Sequence, residues 1–167
     1  MSARYRPEDL DYLDRAQRVY VFEAPVSADR EAVFAAISAD PSTWTWFPVL
    51  ARGSYESAPP HGPGSIREVA IGGTTYRETI IGWDAPGLWA YRVDESSVPL
   101  GHALIEEWAI LDDPAGSGTT IVRWTFAIDP KLLFRLGHLG ASLVMGTLFR
   151  RAMANLSRTL GAAPPAG

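Results

Sequence analysis

The chain has 167 residues, of which 47% are hydrophobic, 20% charged and 11% aromatic, a composition typical of a single globular domain. Its 15 basic and 19 acidic residues give a net charge of −4, so there is no overall positive charge to attract nucleic acid. The absence of cysteine excludes disulfides, thiolate zinc sites and a cysteine nucleophile, and it agrees with a cytoplasmic location.

Both ends of the chain differ in composition from the middle. Residues 1–18 contain four acidic side chains and no apolar run, so we expect no signal peptide. We expect residues 1–17 to form an N-terminal arm with a short helix that begins near Pro7, and residues 161–167 to form a disordered tail. A single domain is then expected over residues 18–160.

The middle of the chain predicts a strand, two short helices, six strands and a long helix. Val19–Ala24 is rich in β-branched and aromatic residues, and two helical segments follow up to Pro48. Between residues 49 and 128, short alternating runs are separated by Gly, Pro and Asp, which is typical of an antiparallel sheet. Asp129-Pro130 predicts the start of a helix that continues to Leu160.

The most apolar segment, Leu132–Phe149, lies in this last helix. Arg135 and His138 lie within it, and a charge near the middle of a bilayer costs about 2.5–3.5 kcal/mol on insertion scales. We therefore expect a buried or interfacial helix and no transmembrane segment. Its apolar surface leaves a homodimer through the C-terminal helix, another partner or a membrane surface as alternatives.

Turn chemistry predicts how the second and third strands of the sheet pair. A two-residue turn at Gly72-Gly73 places Val69 opposite Tyr76 and Arg67 opposite Glu78. The face that carries Val69 and Tyr76 is richer in large apolar groups than the other face, so we expect it to face the core. Arg67 and Glu78 are then expected on the inner side of the sheet.

The following strands extend the same inner face. A four-residue loop at residues 84–87 predicts Trp83 opposite Leu88 and Ile80 opposite Tyr91. In the last two strands, large apolar residues alternate with polar ones. The expected inner face is therefore aromatic and carries four ionisable groups, which are Arg67, Glu78, His102 and Glu106.

Several short motifs occur in a characteristic order. They are Ala24-Pro25-Val26-Ser27, Trp44-Thr45-Trp46-Phe47-Pro48, Gly62-Pro63-Gly64, Trp83-Asp84-Ala85-Pro86 and Gly118-Thr119-Thr120 before Trp124. In this order and spacing, the sequence resembles the polyketide cyclase/dehydrase branch of the START-like (SRPBCC, helix-grip) superfamily over about residues 15–160. The resemblance implies an α+β helix-grip fold, in which a strongly curved seven-stranded antiparallel sheet wraps around a long C-terminal helix and two short helices lie between strands 1 and 2.

The resemblance also implies a cavity between the sheet and the C-terminal helix. Relatives bind lipids, sterols, quinones or polyketide intermediates there, and only some of them are enzymes. We therefore expect binding of a small hydrophobic ligand, lipid-like or aromatic polyketide-like. The alternatives are a cofactor-independent cyclase or dehydratase that works by acid–base catalysis, and an interaction protein that uses its apolar C-terminal helix.

Five ionisable or polar residues are candidates for chemistry in such a cavity. Arg67 would hold a ligand carbonyl or enolate while Glu78 orients it, unless the two form a surface ion pair at a wet strand end. His102 and Glu106 would each move a proton, unless they lie at a strand end and at the rim. Tyr91 is the remaining candidate proton carrier.

Apolar residues on the same inner face are candidates for ligand contact, with packing of the core as the alternative interpretation. The predicted ligand-binding residues are Trp46, Phe47, Val69, Tyr76, Ile80, Trp89, Tyr91, Trp108, Trp124, Phe126, Leu136 and Leu143. No glycine-rich phosphate loop and no nucleophile elbow occurs in the sequence, and the three histidines lack metal-ligand spacing. We therefore expect neither a cofactor nor a metal.

Overall fold

The computed structural model of the protein describes residues 2–116 and 118–161. Within these residues, eight strands and two α-helices follow one another, with short 3₁₀ helices at Leu10–Asp14 and Pro41–Thr43. The elements are β1 (Ala3–Arg4), β2 (Arg18–Val26), α1 (Arg30–Ser38), β3 (Leu50–Tyr55), β4 (Ile66–Ile71), β5 (Thr74–Asp84), β6 (Leu88–Ser96), β7 (Gly101–Asp112), β8 (Thr120–Pro130) and α2 (Leu132–Gly161).

Seven of the strands form one antiparallel sheet in the order β2-β8-β7-β6-β5-β4-β3. The two-residue strand β1 pairs with the end of β6. The long helix α2 packs against β2, β8 and α1. This arrangement confirms the predicted α+β helix-grip fold, with a seven-stranded sheet, a long C-terminal helix and two short helices between the first two strands of the predicted order.

The turn between β4 and β5 has the predicted register. Gly72 and Gly73 both have positive φ (56° and 83°), the conformation that a two-residue hairpin turn requires and that glycine adopts at low cost. Val69 pairs with Tyr76 and Arg67 with Glu78. Two glycines in the turn therefore place a charged pair on the inner face.

The turn between β5 and β6 is shorter than predicted. Asp84 pairs with Leu88 and Trp83 with Trp89, so the predicted pairing of Trp83 with Leu88 is wrong. A register shift between Ile80 and Gly82 adds one residue to β5, and beyond it the predicted pairing of Ile80 with Tyr91 is confirmed.

A second irregularity lies at the start of β7. Gly101 pairs with Pro130 and Ala103 with Asp129, which leaves His102 without a partner on β8. A Cβ atom at Gly101 would lie 2.7 Å from the carbonyl oxygen of Asp129, so only glycine permits this close approach. His102 is exposed, and its predicted position on the inner face is wrong because the alternation of sides changes at this bulge.

The C-terminal helix begins two residues later than predicted. Asp129 and Pro130 still belong to β8, and the N–H of Lys131 donates to the carbonyl of Leu100 before α2 begins. The 30 residues of α2 span about 45 Å. The helix includes Gly161, and the rest of the predicted tail lies outside the described residues.

The two halves of α2 have different surroundings. Side chains of the second half, including Phe149, Met153 and Leu156, are fully buried against the sheet and α1. In the first half, Leu132 and Leu136 are largely exposed. Within residues 2–116 and 118–161, no helix combines the length and the apolar character needed to cross a membrane.

Candidate functional site

A cavity of about 270 Å³ lies between the inner face of the sheet and α2. Its wall consists of aromatic rings, apolar side chains and three acidic or basic side chains, those of Arg67, Glu78 and Glu106. The residues that line it are Trp44, Phe47, Arg67, Ile71, Tyr76, Glu78, Tyr91, Leu100, Glu106, Trp108, Trp124, Phe126, Phe134, Ala141, Val144, Met145, Leu148 and Phe149.

Arg67 and Glu78 form an ion pair in this wall. The register of β4 and β5 places them side by side, and Nε of Arg67 donates to Oε2 of Glu78 over 2.7 Å. The two residues are only 1% and 2% exposed, so the alternative of a surface pair does not apply. Burial raises the pKa of the Glu78 carboxyl, although the charge of Arg67 acts in the opposite direction.

Three aromatic rings surround the guanidinium of Arg67. Its Cζ atom lies 4.4 Å from the ring centroid of Tyr91, 4.5 Å from that of Trp89 and 5.2 Å from that of Trp44. Cation–π attraction at these distances stabilises a charge that has lost its water. Nη1 is buried without a hydrogen-bond partner among the described residues, so the rings and Glu78 together hold the cation.

Glu106 is the more exposed of the two acidic side chains in the wall. The residue is half-buried, and it lies across from Tyr91 on β6 and Phe126 on β8. Its Oε2 atom accepts a hydrogen bond from the hydroxyl of Tyr91 and another from Nε1 of Trp124, the latter over 2.8 Å. Within the described residues nothing donates to Oε1.

Burial and the nearby charge of Glu78 raise the pKa of Glu106 to about 7, while the two hydrogen bonds and Arg67 oppose this shift. Burial also raises the pKa of Tyr91 well above its ordinary value, so its hydroxyl keeps the proton that it donates. A carboxyl with a pKa near neutrality takes up or releases a proton under ordinary conditions, which is the property required of a general acid or base.

Aromatic rings form flat walls next to this carboxyl. Trp108 and Trp124 stack with their centroids 5.6 Å apart, and Phe149 from α2 lies 5.7 Å from Trp124. Phe126 stacks on Phe134 at 6.3 Å. Such walls suit a flat or apolar ligand, since ring faces offer large contact area.

The structure brings most of the predicted candidates for chemistry together. Arg67, Glu78, Tyr91 and Glu106 all line the cavity, and they form a continuous chain of contacts through the ring and hydroxyl of Tyr91. His102 is exposed outside the cavity and takes no part in this group.

The predicted ligand-contact residues divide into three groups. Phe47, Tyr76, Tyr91, Trp108, Trp124 and Phe126 line the cavity. Trp46, Val69, Ile80 and Trp89 do not line the cavity, because they are buried in the packed interior of the protein. Leu136 and Leu143 are 78% and 74% exposed, since they lie on the side of α2 that faces away from the sheet.

Sequence reasoning missed the cavity-facing side of α2. Phe134, Ala141, Met145 and Leu148 recur at spacings of seven, four and three residues, which places them on one side of a helix. This stripe was visible in the sequence, but the segment is apolar on nearly every side and so did not show which stripe faces inward. Trp44, Ile71 and Leu100 also line the cavity and were not among the predicted contacts.

A smaller cavity of about 200 Å³ adjoins the first. It is lined by Pro99, Leu100, Phe134, Gly137 and Ala141, three of which also line the larger cavity. Within the described ranges, no group of three or more His, Cys, Asp or Glu side chains is arranged to hold a metal ion. The expectation of a function without metal or cofactor stays a prediction.

Comparison with known proteins agrees with this architecture. Residues 17–161 match the family model described as polyketide cyclase/dehydrase and lipid transport. Uncharacterized proteins of Mycobacterium bovis and Mycobacterium tuberculosis are 31% identical over 93 residues, which is 54% of this chain and 54% of theirs. The chain therefore spans about half the length of the curated relatives it matches.

Solved structures resemble the fold at low sequence identity. A START superfamily protein from Mycobacterium smegmatis has a TM-score of 0.68 at 11% identity, over 86% of this chain and 97% of that one. A protein from Thermus thermophilus has a TM-score of 0.69 at 12% identity, over 87% of this chain and 98% of that one. These similarities show that the proteins share a fold.

Removal of one partner of the buried ion pair should lower the stability of the fold. We expect Glu78→Ala to lower the free energy of unfolding by about 3–5 kcal/mol, because it leaves Arg67 buried without a carboxylate. The matched control is Glu56→Ala, whose partner Arg77 lies at the same 2.7 Å but with both side chains about 40% exposed, and it should cost at most about 1 kcal/mol. Urea unfolding measures both, and equal losses would contradict the burial of the Arg67–Glu78 pair.

The raised pKa of Glu106 should make the free energy of unfolding depend on pH. Between about pH 4.5 and pH 7 the native state keeps a proton that the unfolded chain has lost, so this residue makes stability fall as pH rises through that window. The free energy of unfolding of Glu106→Gln relative to the natural protein should therefore increase from pH 5 to pH 8 by about 2.5 kcal/mol.

Glu56→Gln serves as the control for this pH series. Arg77 lowers the pKa of Glu56, so that residue titrates below the window and its substitution should leave the profile between pH 5 and pH 8 unchanged. Denaturant unfolding at four or five pH values measures the effect. A constant difference between Glu106→Gln and the natural protein over this range would show that Glu106 has an ordinary pKa.

Proposed function

The chain belongs to the polyketide cyclase/dehydrase and lipid-transport family, and from this premise we propose that it binds and carries a compact, flat, largely apolar ligand in the cavity between its sheet and α2. The observation that supports the proposal is a cavity of about 270 Å³ whose wall is mostly aromatic and apolar. A few polar groups within an apolar wall are typical of small-molecule sites.

The volume limits the size of the ligand. Sites for drug-sized molecules occupy roughly 300–1,000 Å³, and this cavity lies just below that range. We therefore propose a ligand with one to three fused rings or a short chain, rather than a lipid with two acyl chains. The adjoining smaller cavity at Pro99 and Gly137 supports a path for the ligand between α2 and the segment that joins β6 to β7.

A substitution that fills the cavity tests the proposal. Ala141 lines both cavities, so Ala141→Phe should weaken binding of 2-methylnaphthalene tenfold or more. Ala154 is exposed on the same helix, and Ala154→Phe should leave the affinity unchanged. Isothermal titration calorimetry measures the affinities, and native mass spectrometry of the purified protein detects any apolar molecule that it retains. Absence of probe binding to the natural protein, or equal weakening by both variants, would overturn the proposal.

A second candidate function is acid–base catalysis of cyclisation or dehydration without a cofactor. The observation that favours it is the position of Glu106, whose carboxyl lines the cavity and whose pKa of about 7 suits proton transfer. The carboxylate would take a proton from the carbon next to a ligand ketone, so that this carbon forms a bond to a second carbonyl carbon. The protonated carboxyl would then give this proton to the alkoxide oxygen formed at the second carbonyl. The carboxylate would next take a second proton from the same carbon and pass it to the new hydroxyl, which leaves as water while the carbon–carbon double bond forms.

This second function predicts a specific loss of rate. Glu106→Gln should lower the rate of ring formation from a linear 1,3,5-triketone by about 10² to 10⁴-fold, because Gln carries no transferable proton. Glu107 lies on the opposite face of β7, and Glu107→Gln should retain the rate. Absorbance of the aromatic product measures turnover. If the natural protein in molar excess gives no product, carriage is the function that stands.

The outer side of α2 supports a third, weaker candidate. Leu132, Leu136 and Leu143 lie on one side of this helix and are largely exposed. An exposed apolar surface of this kind suits an interaction with a partner through α2. The homodimer through the C-terminal helix and the cytoplasmic location that were expected from the sequence both stay predictions. The native mass spectra described above also report the oligomeric state.

A further inference from the structure

The free oxygen of Glu106 points to a specific chemical property of the ligand. We propose that the ligand is a neutral, flat molecule that donates a hydrogen bond from a hydroxyl group to Oε1 of Glu106, as a phenol does. This inference rests on the proposed binding function and names the ligand class that the cavity selects. The inference rests on the hydrogen-bond donors and acceptors of the cavity wall and on the charge of that wall.

The first step concerns which unused hydrogen-bonding atoms of the wall a ligand can reach. Nη1 of Arg67 and Nε1 of Trp44 and of Trp108 lack partners among the described residues, but these donor atoms are covered by the protein. Oε2 of Glu106 already accepts from Tyr91 and Trp124, whereas Oε1 receives no donor within the described residues. Carboxylate oxygens each accept up to two hydrogen bonds, so Glu106 keeps accepting capacity on an atom next to the cavity. When Glu106 is charged, a ligand atom placed there must be a donor, because an acceptor would leave two oxygens facing each other.

The second step concerns charge. Arg67 is paired with Glu78, so these two lining residues together contribute no net charge. Glu106 is the third acidic or basic side chain of the described wall, and in its charged form it makes the cavity negative. A carboxylate or phosphate ligand would therefore meet like charge in an apolar surrounding, where repulsion is poorly screened. A neutral donor meets no such penalty.

The third step concerns shape. Trp124 both donates to Glu106 and stacks with Trp108, so the carboxyl lies at the edge of a flat aromatic wall. A hydroxyl group in the plane of an aromatic ring reaches the carboxyl while the ring packs on this wall. An amphipathic flat molecule is therefore a better fit than an aliphatic alcohol of the same volume.

Three probes of similar size and different polarity test the inference by calorimetry at pH 8.5, where Glu106 is charged and 2-naphthol is still mainly protonated. They are 2-naphthol, which donates a hydrogen bond, 2-methoxynaphthalene, which only accepts, and 2-naphthoate, which is an anion. The natural protein should bind 2-naphthol about tenfold more tightly than 2-methoxynaphthalene, and 2-naphthoate more weakly than either.

Substitution of Glu106 by Gln should reverse this preference. The amide oxygen must take the place of Oε2, because Tyr91 and Trp124 both donate there, and the amide nitrogen then occupies the place of Oε1 as a donor. In Glu106→Gln, 2-methoxynaphthalene should therefore bind at least as tightly as 2-naphthol. Glu107→Gln, on the opposite face of the same strand, should keep the natural preference.

The outcomes separate this inference from the binding function on which it rests. Equal affinities of 2-naphthol and 2-methoxynaphthalene for the natural protein would overturn the inference and leave the binding function intact. Tightest binding of 2-naphthoate would also overturn it, in favour of an anion site at Arg67. Failure of all three probes to bind would overturn both. A preference for 2-naphthol that Glu106→Gln abolishes and Glu107→Gln retains would support the proposal.

Discussion

Burial of an arginine next to an apolar cavity is the constraint on which the rest of the site depends. The guanidinium of Arg67 has lost its water, and Glu78 together with the rings of Trp89 and Tyr91 replaces it. Tyr91 cannot move away from Arg67 without exposing the cation, and its hydroxyl is thereby fixed next to Glu106. The ion pair therefore positions a second carboxyl that it does not touch.

This dependence explains why the two acidic residues of the wall differ in character. Glu78 faces a cation at 2.7 Å and is only 2% exposed, so its charge is already balanced within the protein. Glu106 has neutral donors as partners, and burial together with the charge of Glu78 raises its pKa to about 7. Of the two carboxyls, Glu106 is therefore the one free to interact with a ligand or to exchange a proton.

Sequence alone predicted the parts of this site that local turn chemistry determines. The two glycines at residues 72 and 73 set the register of β4 and β5, and that register alone pairs Arg67 with Glu78. Strand alternation then placed Tyr91 and Glu106 on the same face. The prediction failed where one extra residue changes that alternation, as at the bulge that turns His102 outward.

Sequence patterns could not predict how deeply a side chain is buried or which side of α2 faces the sheet. Trp89 and Trp108 share the inner face, but only Trp108 reaches the cavity, because Trp89 packs against Arg67 behind the wall. Leu136 and Leu143 are as apolar as the residues of α2 that face the sheet. Only the packing of α2 on the sheet decides which side of the helix is buried. Such distinctions depend on tertiary contacts that a periodicity cannot specify.

The N-terminal arm contacts the edge of the cavity from outside the family-matched region. Residues 2–16 precede the matched range 17–161, yet the hydroxyl of Tyr5 hydrogen-bonds with Oγ of Ser96 over 3.0 Å and accepts from the N–H of Leu100 over 3.2 Å. The N–H of Arg6 donates to the carbonyl of His102 on the far side of the same connection. Leu100 lines both cavities. The arm thus holds one edge of the cavity in place, and the exposed His102 contributes through its backbone rather than through its side chain.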